Sequence, residues 1–129
     1  MTDLEDAYLI HQEVAPKVQV IRFVKPDLRR QLDPIVEDSN ILLREISAIL
    51  EKMPQGGQII FNFGLVERFP TSFFQLMMRA RQQVLARDGR ICLCCFRHEI
   101  VPSVELMGGS RLFAMANSEE AAVREAHAK

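Results

Sequence analysis

The stretch that decides the fold is NFGLVERFPTSFFQLMM, residues 62 to 78. It begins as the end of a strand and finishes as a helix, and two hydroxyl side chains, Thr71 and Ser72, lie at the junction. Ser and Thr are common helix N-caps because their oxygens accept hydrogen bonds from backbone N–H groups that lack partners within the helix. The residues alone therefore predict a capped helix start. They leave open whether a hydroxyl there also acts as a nucleophile or accepts a phosphate.

The runs on the two sides of this junction predict a buried strand and an amphipathic helix. QIIFNFG, residues 58 to 64, is nearly all apolar, as expected for a central strand whose sheet has helices on both faces. Phe73 and Phe74 are about 100° apart on the helix, so we expect one of them to be buried and not both. Leu85 lies on the side of Phe74, and Gly89 marks the end of the helix. The apolar stripe of this helix consists of Phe73, Phe74, Leu76, Met77, Ala80, Val84 and Leu85.

The rest of the chain alternates between strand and helix patterns. The other predicted elements are strands at 8–10 and 18–24, a helix at 34–53, a strand at 90–96, a helix at 99–107, a strand at 112–115 and a helix after Ser118. This alternation predicts an α/β layered domain with largely parallel pairing, because a crossover between parallel strands needs a helix. The length fits one domain over residues 1–129, with 1–7 as a disordered tail and 118–129 as the C-terminal helix.

Composition argues against several classes of function. The 16 Lys and Arg residues balance 17 Asp and Glu residues without a basic cluster, so we expect no nucleic-acid partner. The acidic N-terminus lacks the pattern of a signal peptide, and no apolar run approaches the ~18 residues of a membrane span. We therefore expect a cytoplasmic protein without a membrane partner.

The residues that could carry chemistry have simpler structural roles. Cys92, Cys94 and Cys95 form an odd-numbered cluster in one apolar run, which is not a disulfide framework. On a strand, Cys92 and Cys94 share one face and Cys95 takes the other, so we interpret all three as buried thiols and not as a metal or redox site. His98 beside Glu99 is interpreted as a helix entry, since no catalytic motif accompanies it. We expect no metal, no cofactor and no enzymatic activity.

Five segments of the chain, in order and spacing, resemble the STAS domain family, the fold of bacterial anti-sigma factor antagonists. They cover about Val18 to Ala126 and are NFGLVE, PTSFFQ, RDGRICLCC, VELMGGSRLFAM and SEEAA. The resemblance implies a mixed, largely parallel sheet of four to five strands with helices packed against it. It also implies a regulatory protein that binds another protein, typically a switch kinase or an anti-sigma factor.

The resemblance also implies a phosphorylation site. The serine that a partner kinase phosphorylates in the family falls on Thr71 of this sequence, and the next family serine falls on Ser72, which is the alternate site. The chain departs from the family pattern at Asn62 and Pro70, where the family often has Asp, and at Phe73, where it often has Gly. The departures at Pro70 and Phe73 favour an alternative, a scaffold domain without phosphorylation. A small-ligand-binding enzyme is the least supported hypothesis.

The partner surface implied by the resemblance is the start of the helix that contains Thr71. Its predicted residues are Pro70, Thr71, Ser72, Phe74, Gln75 and Met78. The sequence leaves the oligomeric state open, with a dimer among the alternatives.

Overall fold

The computed structural model describes residues 8–28, 41–69 and 72–127. The predicted tail at 1–7, the first part of the predicted helix at 34–53, and the predicted site residues Pro70 and Thr71 lie outside the described residues.

The described chain forms one five-stranded sheet with helices on both faces. Its elements are β1 (Leu9–Ala15), β2 (Val18–Phe23), α1 (Ile41–Glu51), β3 (Gln58–Asn62), α2 (Ser72–Ala86), β4 (Arg90–Cys94), α3 (Val101–Leu106), α4 (Gly109–Leu112), β5 (Ala114–Ala116) and α5 (Glu119–His127). The strand order is β1-β2-β3-β4-β5, with β1 antiparallel to β2 and all other pairs parallel. The predicted α/β fold with a mixed, largely parallel sheet is confirmed, and QIIFNFG is the central strand β3.

Two predicted elements differ from the observed ones. The first strand extends to Ala15, well beyond the predicted residues 8–10. Near the C-terminus, Leu112 lies in the short helix α4 and not in a strand, and β5 begins only at Ala114. Gly108 explains this shift, because its φ of 89° is readily adopted only by glycine and allows a new helical turn directly after α3. The N–H of Leu112 then donates to the Gly108 carbonyl.

The turn that follows α2 packs against the turn that precedes β3. Gly89 ends α2, since its N–H donates to the carbonyl oxygen of Val84 at 2.9 Å. The adjacent turn contributes a bond from Gly56 N–H to the Arg87 carbonyl at 2.7 Å. A Cβ on Gly89 would meet the carbonyl oxygen of Gly57, so the two turns can approach closely only with glycine at this position.

The larger core cluster lies between the sheet and helices α1 and α2. Phe73 is buried at 2% exposure while Phe74 is half-buried, which agrees with the prediction that only one of them is buried. Leu85 is 47% exposed, so the buried face of α2 is narrower than its apolar stripe. The buried residues that α2 contributes are Phe73, Leu76, Met77, Ala80 and Val84.

The smaller cluster lies between the other face of the sheet and α5, and it contains the cysteines. The expectation that Cys95 lies on the face opposite Cys94 is wrong, because both contact this cluster and their Sγ atoms are 3.5 Å apart. The strand ends at Cys94, and Cys95 has a φ of 69°, which breaks the alternation of side chains. Only Cys94 is buried, whereas Cys92 and Cys95 are half-buried, so the expectation of three buried thiols is correct for Cys94 alone. Burial raises the pKa of Cys92 to about 11 and also raises the pKa of Cys94, so both thiols are protonated at neutral pH.

Candidate protein-docking site

The chain turns sharply after β3, at the edge of the sheet where the parallel strands end. Phe63 N–H extends the ladder by one bond to the Cys94 carbonyl at 3.0 Å. The side-chain oxygen of Asn62 then accepts a hydrogen bond from Gly64 N–H at 2.8 Å. Val66 N–H closes the turn by donating to the Phe63 carbonyl at 3.0 Å. These bonds give residues 63–66, the first part of the loop after β3, a defined conformation.

The same loop is fastened to the segment that follows β2. Glu67 N–H and Arg68 N–H both donate to the Pro26 carbonyl, at 2.7 and 2.9 Å. Leu28 N–H donates back to the Arg68 carbonyl at 2.9 Å, and Asp27 forms a parallel bridge with Arg68. These bonds join the segment after β2 to the loop after β3 at the carboxyl edge of the sheet.

A cluster of aromatic rings packs against this edge on the face of the sheet that α1 and α2 cover. The Phe73 ring, at the start of α2, meets the rings of Phe63 and Phe69 at centroid distances of 5.7 and 5.4 Å. Phe63 in turn stacks on Phe96, from the loop after β4, at 4.4 Å. Such ring pairs contribute about 0.5–1.5 kcal/mol each beyond the burial of their area. We call this group the aromatic platform; its members are Phe23, Phe61, Phe63, Phe69, Phe73 and Phe96.

The predicted partner-binding residues that the structure describes lie on the first two turns of α2. Ser72 is the first helical residue and is half-buried, and Gln75 is exposed. Phe74 is half-buried against Phe113, with ring centroids 5.8 Å apart in an edge-to-face arrangement. Met78 is also half-buried and packs against the larger cluster. The structure therefore brings these four residues to one end of α2, but only Gln75 is fully accessible.

Sequence reasoning missed a residue in the loop that follows β3. Leu65, at the tip of the loop after β3, is 58% exposed, although it is a large apolar side chain on a rigid loop. No periodicity of the sequence distinguishes Leu65 from its buried neighbour Val66, because the loop has no regular repeat. An ordered loop that presents a leucine to solvent is a feature of interaction surfaces.

A charged rim lies next to Leu65. Arg97 forms ion pairs with Glu67 and with Glu99, each at 3.2 Å, so two carboxylates share one guanidinium. A hydrogen bond within Glu99 itself and the nearby Arg97 lower the pKa of the Glu99 carboxyl, which keeps it ionised at neutral pH. Between this rim and α3 there is an open groove of about 360 Å³. Its lining consists of Glu67, Arg68, Phe69, Glu99, Ile100 and Ser103.

We use the term docking surface for a set of exposed and half-buried residues from the loop after β3, the groove beside it and the first turn of α2. It comprises Leu65, Glu67, Phe69, Ser72, Gln75 and Glu99.

A polar network on the face of the sheet that packs against α5 explains why residue 62 is Asn, although the family that the sequence resembles often has Asp there. Arg22 forms a bidentate ion pair with Glu119, the first residue of α5, with both bonds at 2.7 Å. Asn62 donates its side-chain N–H to the same carboxylate at 2.9 Å. An aspartate at this position would place a second carboxylate against Glu119, whereas the amide donates a hydrogen bond. The hydrogen bond from Arg22 is the main cause that lowers the pKa of Glu119, and the bond from Asn62 adds to it.

The described residues contain no group of three or more His, Cys, Asp or Glu side chains arranged to hold a metal ion. In the same part of the chain, no helix has the length and apolar character needed to cross a bilayer. Ser118 caps the predicted last helix, since its Oγ accepts a hydrogen bond from Ala121 N–H at 3.1 Å.

Comparison with solved structures identifies this architecture. A STAS domain protein from Planctomyces limnophilus superposes with a TM-score of 0.73 at 16% identity, covering 92% of this chain and 97% of that one. The chain has the STAS fold. The anti-sigma factor antagonist SpoIIAA in its unphosphorylated form gives a TM-score of 0.71 at 19% identity, covering 94% and 97% of the two chains. The phosphorylated form of SpoIIAA from Bacillus gives 0.64 at 20% identity, with 90% and 97% covered. No model of a protein family matches the sequence, and no curated protein matches it.

Proposed function

We propose that this protein is a non-enzymatic regulatory module that binds a protein partner through the docking surface. The observation that carries the proposal is Leu65, an apolar side chain 58% exposed on a loop that is hydrogen-bonded on both sides. A rigid loop loses little conformational entropy on binding, so an exposed leucine on it is well suited to contact a partner. The STAS fold adds support, since SpoIIAA, which shares it, is an anti-sigma factor antagonist.

The chemistry of the docking surface indicates what such a partner presents. Leu65 and the half-buried Phe69 offer apolar contact, while Glu67 and Glu99 together with Arg68 and Arg97 present charges of both signs around the groove. A partner with an apolar segment flanked by charged residues of both signs would complement this surface. An anti-sigma factor or a switch kinase is the class of partner that we propose.

We further propose that phosphorylation at the start of α2 switches this binding. Residues 72–75, the first turn of α2, include no acidic side chain, so the partial positive charge of the helix start is not neutralised within that turn. A phosphate on Thr71, the residue before Ser72 in sequence, adds about 1.5 to 2 negative charges to the helix start that the docking surface includes. The added charge would repel a partner or disrupt its fit. SpoIIAA, which has the same fold, has been solved in a phosphorylated form.

The departure at Phe73 is compatible with this switch. Phe73 is only 2% exposed, and its ring packs into the aromatic platform. The side chain therefore points into the core and does not project into the space that a kinase would need. Of the two departures from the family pattern that favour a scaffold without phosphorylation, only Pro70 then still supports that alternative.

The docking surface is tested by a charge introduced at Leu65. We expect Leu65→Asp to weaken binding of the anti-sigma factor or kinase encoded beside the gene by at least about tenfold, measured by calorimetric titration. The matched control is Leu85→Asp, which changes another exposed leucine at the far end of α2, about 20 Å along the helix from Ser72, and should leave affinity unchanged. Equal affinity for both variants and the wild type would reject the docking surface.

The switch is tested by three substitutions at the helix start. Thr71→Glu should reduce partner binding, because it places a negative charge where a phosphate would lie, and Thr71→Ala should retain it. Thr71→Ala costs about 1 kcal/mol of stability if the hydroxyl caps the helix. Ser72→Ala should mainly affect stability. Wild-type affinity of both Thr71 variants, together with the absence of phosphothreonine in stressed cells, would favour the scaffold without phosphorylation.

A further inference from the structure

The two edges of the sheet are built differently. The edge strand β5 has only three residues and is followed directly by α5. The edge strand β1 has seven residues, and its four central residues, 10 to 13, are all exposed. Within the described ranges, β1 pairs only with β2, so one side of its backbone has no neighbouring strand. Long open edges attract further strands, and proteins commonly shorten or cover them.

The hydrogen-bond pattern shows which backbone groups of β1 face outwards. Val24 N–H donates to the Tyr8 carbonyl at 3.0 Å, so these two residues form a hydrogen-bonded pair in the antiparallel register. Hydrogen-bonded pairs alternate along such a ladder, so the even-numbered residues of β1 bond to β2 up to the bulge that begins at Glu13. The N–H and C=O groups of Leu9, His11 and Glu13 therefore point away from the sheet.

The sequence of β1 is self-complementary in an antiparallel arrangement. LIHQEVA has two apolar residues at each end and a basic and an acidic residue on either side of Gln12. If a two-fold axis passes through Gln12, His11 of each copy lies opposite Glu13 of the other copy, so this pair occurs twice. In the same register, Ile10 of each copy lies opposite Val14 of the other copy. This register also pairs outward-facing backbone groups with each other, giving about two hydrogen bonds at each His11–Glu13 pair. A shift to an axis through His11 would place two histidines opposite each other, which is unfavourable.

The side chains that would meet are already held in position. His11 Nε2 lies 2.6 Å from the side-chain oxygen of Gln19, and Gln19 donates its amide N–H to Glu13 at 3.0 Å. Gln19 itself is buried at 7% exposure. Both side chains are thus ordered on the α1 face of the sheet, which reduces the entropy lost on pairing. On the opposite face, Ile10 is 41% exposed and available for contact with Val14.

We propose that β1 is a pairing edge for a second copy of this chain, and that two sheets join about Gln12 into one continuous sheet of ten strands. The bulge between Glu13 and Ala15 limits the ladder to its central part, so the dimer is weak and its population depends on concentration. The surface is separate from the docking surface, because β1 is an edge strand of the sheet and the docking surface consists of the loop after β3, the groove beside it and the first turn of α2.

Charge reversal tests both the edge and the register by sedimentation velocity of the full chain over a range of concentrations. His11→Glu places two carboxylates opposite each other, and Glu13→Lys places a lysine opposite a histidine. Each variant should weaken the dimer by about tenfold or more. An equimolar mixture of the two variants should form heterodimers, because Glu at 11 then faces Lys at 13 and Glu13 faces His11. The double variant should recover the wild-type dimer for the same reason.

Two controls separate this edge from general charge effects. Glu125→Lys, on the exposed surface of α5, changes the net charge as Glu13→Lys does and should leave the dimer intact. Leu65→Asp should also leave it intact, so failure of the docking proposal and failure of this one give different results. A wild-type chain that stays monomeric at millimolar concentration overturns the proposal. So do single variants that dimerise like the wild type, or a mixture that does not associate more than its components.

Discussion

The two faces of the sheet are packed by different means. The face towards α1 and α2 is filled with large side chains, and the aromatic platform lies at its carboxyl end. The face towards α5 is filled with small residues and ends in the ion pair between Arg22 and Glu119. Strand β3 contributes side chains to both faces, since Phe61 belongs to the larger cluster and Ile60 to the smaller one.

The two faces therefore have different roles in the domain. Large aromatic side chains bury much area and hold the start of α2 in place, so the first face supports both stability and the docking surface. Small residues let α5 approach the sheet closely, and the polar network sets where that helix begins. We therefore expect the first face to respond to lost volume, and the second to respond to added volume or lost charge.

The largest effect is expected at the buried phenylalanine of α2. Phe73→Ala should reduce the free energy of unfolding by about 3–5 kcal/mol, because it leaves a cavity among the rings of the aromatic platform. Phe74→Ala should cost clearly less, since Phe74 is only half-buried and its ring contact is with Phe113. Urea unfolding of both variants measures the difference. Equal and large losses would show that the two rings are buried alike.

An intermediate effect is expected where the second face is overpacked. Ala122 is 2% exposed between α5 and the sheet, so Ala122→Leu should destabilise the fold by about 1–3 kcal/mol. The matched change Ala48→Leu lies on the exposed surface of α1 and should alter stability by less than about 0.5 kcal/mol. If thermal unfolding shows the same stability for both variants, the second face has more room than its small residues indicate.

The smallest effect is expected for the ion pair at the start of α5. Glu119→Gln should cost about 1 kcal/mol at neutral pH, since it removes the charge that binds Arg22. The pKa of Glu119 is lowered in the folded state, so its contribution is present above the unfolded carboxyl pKa and is lost as pH falls through the folded one. In urea titrations, the difference in stability between wild type and variant should therefore begin to shrink as pH falls below about 4.3, the ordinary Glu pKa, and should vanish below the lowered pKa of the folded state. A difference that stays constant down to acidic pH would contradict this account.

Much of the fold was predictable because its signals are local. The order of the main strands and helices, the central position of β3 and the burial of only one of Phe73 and Phe74 all follow from the spacing of apolar residues. The end of α2 at Gly89 follows from turn chemistry. The element that was missed, α4, has only four residues and depends on the left-handed conformation of Gly108.

The candidate site was predictable only in part. The sequence indicated the helix that begins at Ser72, and the structure adds the exposed Leu65 and the carboxylates gathered around Arg97. Glu67 and Arg97 are 30 residues apart, and their contact arises because neighbouring parallel strands end at the same edge of the sheet. No pattern of residues within a single segment predicts the contact between Glu67 and Arg97.

The sequence by itself determined the α/β class, the alternation of strands and helices, and the placement of hydroxyl residues at a helix start, because each depends on residues close together in the chain. The tertiary structure decided that Leu65 faces solvent, that Cys95 joins the same cluster as Cys94, and that Asn62 bonds to Glu119 across 57 residues. Burial and pairing of that kind depend on which distant segments fold against a residue, and local periodicity carries no information about them.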